Sequence, residues 1–285
     1  MPGKRDEGNR RIVSRHNPLI KQVRLWGSRP VKDAAGETVT VIEGVRLLEE
    51  GLRASQQPDR RFSLEMIFFS EEAVSGEREK AFLKTAREAG IEVIEVTPAV
   101  MEHISQLAAP PGMLGVVRCR SAERESVAAK KSADPLLLIL DGLQDPGNVG
   151  TLIRTAEAAG ADAVWLTAGT VHPFSSRVIK ATMGSIFRVR LRWGVGEEDF
   201  DWLEAKGFKI VGAAVQKGRP FYGEDFSSCT ALVLGNEAHG ISEKMSRRVT
   251  SWVHIPMAGE VDSLNVAVAG SLLLYEAFRQ RRLLA

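Results

Sequence analysis

Cysteine is scarce in this sequence. Its 285 residues hold two, Cys119 and Cys229, far apart and in no Cys-x-x-Cys pair. That argues against a disulfide scaffold and makes a reducing cytoplasm the expected compartment. Long hydrophobic runs are missing too. None reaches the ~18 apolar residues of a membrane-spanning helix, so no membrane partner is expected. Residues 1–17 are polar and basic with no apolar stretch behind them, and do not read as a secretory signal. The five histidines, His16, His103, His172, His239 and His254, form no close pair, and neither cysteine joins one. No zinc site, and no other metal, is expected. Gly147-Asn148-Val149-Gly150 has neither dinucleotide-binding G-x-G-x-x-G spacing nor a following Gly-Lys-Ser/Thr. No G-x-S-x-G element marks a hydrolase nucleophile.

What is present is an uneven charge distribution. The net charge is only +2, yet residues 1–32 hold nine Lys or Arg (Arg15, Lys21 and Arg24 among them) against Asp6 and Glu7. A basic arm on a near-neutral body suits a polyanionic partner. Hydrophobic content of 44% with 26% charged residues is that of a globular protein, and the length suits two cores.

The pattern along the chain divides at one place. Residues 1–120 read as a small α/β unit. Asn17-Pro18 opens a helix, 38–42 is extended, 45–52 is helical and 64–69 is a strand. A helix at 77–89 ends at Gly90, with strands at 91–96 and 113–118 around a short helix. Residues 121–134 lack large apolar side chains apart from Val127 and read as a linker. From Pro135 the apolar run 136–140 looks like a strand buried on both faces. Strands at 163–167, 187–191, 209–214, 230–234 and 252–255 alternate with helices at 149–159, 176–183, 199–206, 242–248 and 263–282. That alternation implies an α/β fold with a parallel sheet in 135–285.

Three post-strand loops of this second part could carry chemistry, because ligands of open parallel sheets bind beyond the strands' carboxyl ends. The first runs from Asp141 through Asn148, Gly150 and Thr151 into a helix bearing Arg154. Asn148 stands where a helix cap belongs, and Arg154 should project from the second turn. The second, Gly235-Asn236-Glu237-Ala238-His239-Gly240, follows an apolar strand, and its Glu237 could orient a substrate or an arginine. The third runs from Ile255-Pro256-Met257 to Ser263-Leu264-Asn265, with Ser263 as the expected cap of the last helix. Taken singly, each is explained by capping or surface exposure; three together are harder to dismiss.

At these segments the sequence resembles the SpoU–TrmH group of the SPOUT methyltransferases. The loop carrying Asn148 and Arg154, the segment from Leu234 to Gly240, and the segment from Ile255 to Ala267 match that group's three motifs in order and spacing. Residues 14–21 and 43–48 look, more loosely, like the accessory RNA-binding domain of ribosomal members. The resemblance implies a C-terminal SPOUT domain with a deep trefoil knot, a homodimer, and S-adenosylmethionine as cofactor. It places the cofactor against Leu234, Gly235, Ile255, Pro256, Met257, Ser263, Leu264 and Asn265, with Arg154, Asn148 and Glu237 as catalytic residues. RNA binding would fall to Arg15, Lys21, Arg24 and Arg46. The implied reaction is methylation of a ribose 2′-hydroxyl in large-subunit ribosomal RNA. Transfer RNA, or a non-catalytic ribosome-assembly role on the same scaffold, are the alternatives. The family reading makes Arg154 the base, but arginine side chains keep their proton near neutrality, so charge stabilisation and positioning is the expected role.

Overall fold

A computed structural model of the chain describes residues 10–59, 61–74, 76–128 and 134–283. The chain divides into two compact units, Met1–Arg120 with Phe174–Ser176, and Ser121–Pro173 with Arg177–Ala285.

The first unit follows the order β1 (Arg10–Ile12), α1 (Pro18–Ser28), β2 (Val31–Lys32), β3 (Thr38–Glu43), α2 (Val45–Ser55), β4 (Phe62–Phe69), α3 (Glu77–Glu88), β5 (Glu92–Val96), α4 (Pro98–Ile104) and β6 (Met113–Cys119). Its six strands form one mixed sheet, β1-β5-β4-β6-β3-β2, in which β1, β5 and β4 run parallel. Asn17 caps α1 by accepting from the Leu19 N–H over 2.9 Å, and Pro18 supplies the preset first turn. Ile20 and Val23 of α1 and Val100, Met101 and Ile104 of α4 bury against Val39, Val41 and Ile94 of the sheet. Strand β1 corrects one expectation. Arg10 and Arg11 belong to a sheet edge rather than a free arm, paired with Glu92 at 2.8 Å and Glu95 at 2.9 Å. The rest of the arm, residues 1–9, lies outside the described residues.

The second unit continues with α5 (Glu125–Ala128), β7 (Leu136–Asp141), α6 (Pro146–Ala158), β8 (Ala163–Thr167), α7 (Ser176–Thr182), β9 (Leu191–Val195), α8 (Glu197–Ala205), β10 (Lys209–Ala213), β11 (Arg219–Pro220), β12 (Thr230–Gly235), α9 (Glu243–Ser246), β13 (Ser251–His254) and α10 (Val266–Leu283). Its seven strands are all parallel, in the order β11-β13-β10-β12-β7-β8-β9. All six residues of β7 are buried, as a strand covered on both faces requires. Ser121 and Ala122 hydrogen-bond to β9 through the Trp193 N–H and the Leu191 carbonyl. Residues 129–133 of the expected linker lie outside the described residues.

Most strands shift by one or two residues from the sequence reading, and one shifts further. Residues 187–191 alternate apolar and charged, yet 185–187 form a tight turn after Gly184 (φ +92°), and the strand begins at Leu191. Ile186, Phe187 and Val189 are buried all the same, so a loop rather than a strand produces the alternation.

Candidate active site

Register places the first two loops side by side. In neighbouring strands β12 and β7, Leu234 pairs with Leu140 and Gly235 with Asp141, so both chains leave the sheet at the same level. Gly142 takes φ +73°, open to glycine at no steric cost, and its N–H donates to Thr170 Oγ1 over 2.9 Å. Asp141, buried, accepts from Thr167 Oγ1 at 2.8 Å and from the Ser242 N–H at 2.7 Å, tying the far end of the second loop to the first strand. Asn236 Nδ2 donates to the Gly142 carbonyl at 2.9 Å, while its Oδ1 receives the N–H groups of Ala238 and His239. Asn236 and Gly240 exchange backbone hydrogen bonds, folding the second loop back on itself. A Cβ on Gly235 would lie 2.2 Å from the Gly240 carbonyl carbon and the Ile241 nitrogen, so the fold-back admits only glycine there.

The helix caps differ from expectation. Asp145 caps α6, its side chain accepting from the Asn148 N–H at 2.7 Å, with Pro146 at the first position. Asn148 therefore lies inside the first turn, which frees its side chain, and Arg154 falls in the third turn. Likewise Asn265, not Ser263, caps α10. Its Oδ1 accepts from the N–H groups of Ala267 (2.9 Å) and Val268 (3.3 Å).

These shifts create a node at which all three loops meet. Asn148 Nδ2 donates to Glu237 Oε1 at 2.8 Å, and Asn148 Oδ1 accepts from Asn265 Nδ2 at 3.0 Å. Both functions of the Asn148 amide are thereby fixed in direction. Beside the node, a cleft of about 500 Å³ opens over the carboxyl ends of β12, β10 and β13. Leu234, Gly235, Ile255, Met257, Ser263, Leu264 and Asn265 line it, as does Glu237. Pro256 is exposed and does not line it, and the exposed Arg154 does not either. Arg154 has no hydrogen-bond or ion-pair partner among the described residues. Sequence reasoning missed Ala213–Val215 and Trp252–His254, which form the opposite wall. Nothing in an apolar strand end marks it as a wall until the strand order is known.

The cleft suits a nucleoside-bearing sulfonium compound in size and lining, with an apolar bed (Leu234, Ile255, Met257, Leu264) beside exposed loop backbone. Nδ1 of His254, on the wall, is buried without a hydrogen-bond partner among the described residues. No group of three or more His, Cys, Asp or Glu among the described residues could hold a metal ion. Of the expected RNA-binding residues, Arg15, Lys21 and Arg24 sit in or just before α1, whereas Arg46 is on α2; all four are exposed.

A parallel sheet whose post-strand loops converge on one cleft is the architecture of a cofactor-binding α/β enzyme. Residues 135–275 match the SpoU rRNA Methylase family, and residues 17–115 match the MRM3-like substrate binding domain. The chain is 30% identical over 267 residues to the 23S rRNA (guanosine(2553)-2'-O)-methyltransferase RlmP of Bacillus subtilis, covering 93% of this chain and 98% of that one. It is 28% identical to the 23S rRNA (uridine(2479)-2'-O)-methyltransferase of Streptomyces viridochromogenes, over 98% of this chain and 95% of that one. The crystal structure of the SpoU methyltransferase AviRb from Streptomyces viridochromogenes with the cofactor AdoMet superposes with a TM-score of 0.82 at 27% identity, covering 93% and 98% of the two chains. The chain belongs to the SpoU rRNA methylase family.

Proposed function

We propose that this chain is an S-adenosylmethionine-dependent methyltransferase acting on a ribose 2′-hydroxyl of large-subunit ribosomal RNA. The observation that carries the reading is the Asn148 amide, held between Glu237 of the second loop and Asn265 at the cleft. Both partners line the cofactor-sized cleft, so the Asn148 amide stands at its rim. The names of full-length relatives support ribosomal RNA as the substrate, and their different target bases, guanosine and uridine, leave the base open.

Bound in the cleft, S-adenosylmethionine supplies a methyl group already activated on a sulfonium, so the chemistry needs no metal or redox partner. What remains for the protein is to align the hydroxyl and stabilise its developing alkoxide. Leu234, Ile255, Met257 and Leu264 form the apolar bed, and Gly235, Ser263 and Asn265 offer polar edges. Glu237 Oε1 is occupied by Asn148, which leaves Oε2 to orient the hydroxyl or a guanidinium. Arg154 stays charged, faces the 2′-oxygen and clamps the adjacent phosphate.

The working unit in this reading is a cytoplasmic homodimer with a knotted C-terminal domain. Its support is an apolar stripe on α10. Val268, Leu272 and Tyr275, at 50, 43 and 50% exposure, line a second cleft with Asn148 and Thr151. Exposed apolar patches of this kind mark association surfaces.

Methyl transfer from isotopically labelled cofactor to transcribed 23S rRNA, followed by nucleoside analysis, tests the activity. Label in a 2′-O-methylnucleoside is the expected result. Label confined to bases, or no transfer, overturns it.

A further inference from the structure

Cations of the first unit fall into two populations. Most are neutralised, for example Arg10 on Glu92, Arg11 on Glu95, Arg78 on Glu49 and Arg120 on Glu37. Arg15 and Arg24 meet no carboxylate among the described residues. Arg24 contacts another nitrogen base instead: its Nη1 lies 2.6 Å from Nδ1 and 2.9 Å from Nε2 of His103. A guanidinium can only donate, so the ring nitrogen it engages accepts, and His103 is neutral in this contact.

Arg15 and His103 border a recess of about 570 Å³ between the segment before α1 (Val13, Ser14, Arg15) and α4 (Val100, Glu102, His103), and Arg24 adjoins it through its contact with His103. Glu102, exposed, is the carboxylate of the lining. Its one negative charge leaves an excess beside the two guanidinium groups. Burial, and then Arg24, Arg15 and His16, hold the His103 pKa below that of an ordinary histidine. Like charges kept together without a counter-ion are unfavourable, and an anion entering the recess relieves them.

We propose that this recess binds one backbone phosphate of the RNA, gripped by Arg15 and Arg24. The inference rests on the RNA-substrate reading above. It goes further in naming a site and in assigning His103, which the sequence did not single out. Phosphate contacts fix position without reading sequence, which suits a domain that presents substrate to a separate catalytic unit. His103 would take up a proton as the phosphate arrives. The charged and titratable groups around it are Arg24 of α1, Arg15 and His16 of the preceding segment, and Glu102 of α4. An added phosphate reverses the repulsion they impose, so affinity should rise as pH falls.

The test is fluorescence anisotropy with a labelled, folded 23S rRNA fragment over a range of salt, at pH 6 and pH 8. Arg24→Gln should weaken binding and lower the steepness of the log-affinity against log-salt plot by about one unit, as loss of one phosphate contact does. Arg78→Gln makes the same change in net charge at a paired arginine and should leave that slope alone. Arg24→Lys guards against misfolding and should keep the slope. His103→Gln should remove the tightening between pH 8 and pH 6. Equal losses for Arg24→Gln and Arg78→Gln, or an unchanged pH dependence in His103→Gln, would overturn the proposal. Wild-type protein that shows these binding effects yet transfers no methyl would overturn the enzymatic reading alone. Active enzyme whose Arg24→Gln variant keeps the full slope would overturn the phosphate site alone.

Discussion

Asn148 donates through Nδ2 to Oε1 of Glu237 over 2.8 Å, joining residues 89 positions apart. The same amide accepts from Asn265, so a change in donor pattern at Asn148 should reach both neighbours. Asn148→Asp keeps an oxygen for Asn265 but sets a second carboxylate against Glu237. Methyl transfer should fall by about 10²-fold or more, the scale seen when one preorganised donor is removed. Cofactor affinity measured by calorimetry should stay near wild type. A large loss of that affinity would assign Asn148 to the cleft instead.

Arg154 is exposed and has no partner among the described residues, so its replacement should leave the fold intact. Arg154→Ala should abolish transfer while the melting temperature holds. Arg154→Lys keeps the charge but loses the two-pronged fork, and should also be severely impaired. Near-normal turnover in the lysine variant would contradict the clamp.

Gly235 tests the fold-back loop. In Gly235→Ala the added methyl meets backbone at 2.2 Å, which cannot swing aside as a side-chain end could. Cofactor affinity should drop about tenfold or more, equivalent to ~1.4 kcal/mol, and the thermal stabilisation by added cofactor should shrink accordingly. Unchanged stabilisation would mean that the loop does not shape the cleft.

Much of this site was legible in the sequence because glycine and proline punctuate the chain directly after apolar runs. That pattern placed loops after 140, 234 and 254 before any strand order was known. What failed was competition between neighbouring polar residues for one role. Asp145-Pro146 starts α6 better than Asn148 because proline presets the first turn and aspartate reaches Asn148's own N–H. Asn265 outcompetes Ser263 as a cap by serving two N–H groups at once. The Asn148–Asn265 contact spans 117 positions and the Arg24–His103 contact 79, and neither leaves a local signal. The salt bridges of Arg10 and Arg11 were hidden for the same reason, since Glu92 and Glu95 become neighbours only when β1 joins β5.

Glu224 links stability to pH. Burial disfavours its charge, but hydrogen bonds from Lys209 and Ser251 overcome that and hold its pKa below the usual carboxylate value. A group with a lowered folded-state pKa stabilises the protein above its unfolded-state pKa, and that contribution is lost as pH falls through the acidic carboxylate range. Glu224→Gln should cost about 1–3 kcal/mol at neutral pH, because Lys209 loses its carboxylate partner and keeps only the Asp225 carbonyl. The gap from wild type should narrow below pH 4 in urea melts. A constant gap at all pH values would refute the linkage.

Leu272 probes the α10 stripe. Leu272→Glu puts a charge on an exposed apolar surface of the free chain, so the monomer should fold normally. If the proposed dimer forms through this stripe, sedimentation should show a dimer for the wild type and a monomer for Leu272→Glu. A variant that still dimerises would place the interface elsewhere.

The most direct test uses the reaction's own chemical consequence. A methylated 2′-oxygen can no longer attack its neighbouring phosphate, so that phosphodiester resists alkali. 23S rRNA incubated with the wild-type protein and S-adenosylmethionine should show one new gap in its alkaline-hydrolysis ladder, absent when Asn148→Asp is used. An unbroken ladder accompanied by methyl incorporation would locate the methyl on a base and contradict ribose methylation at this site.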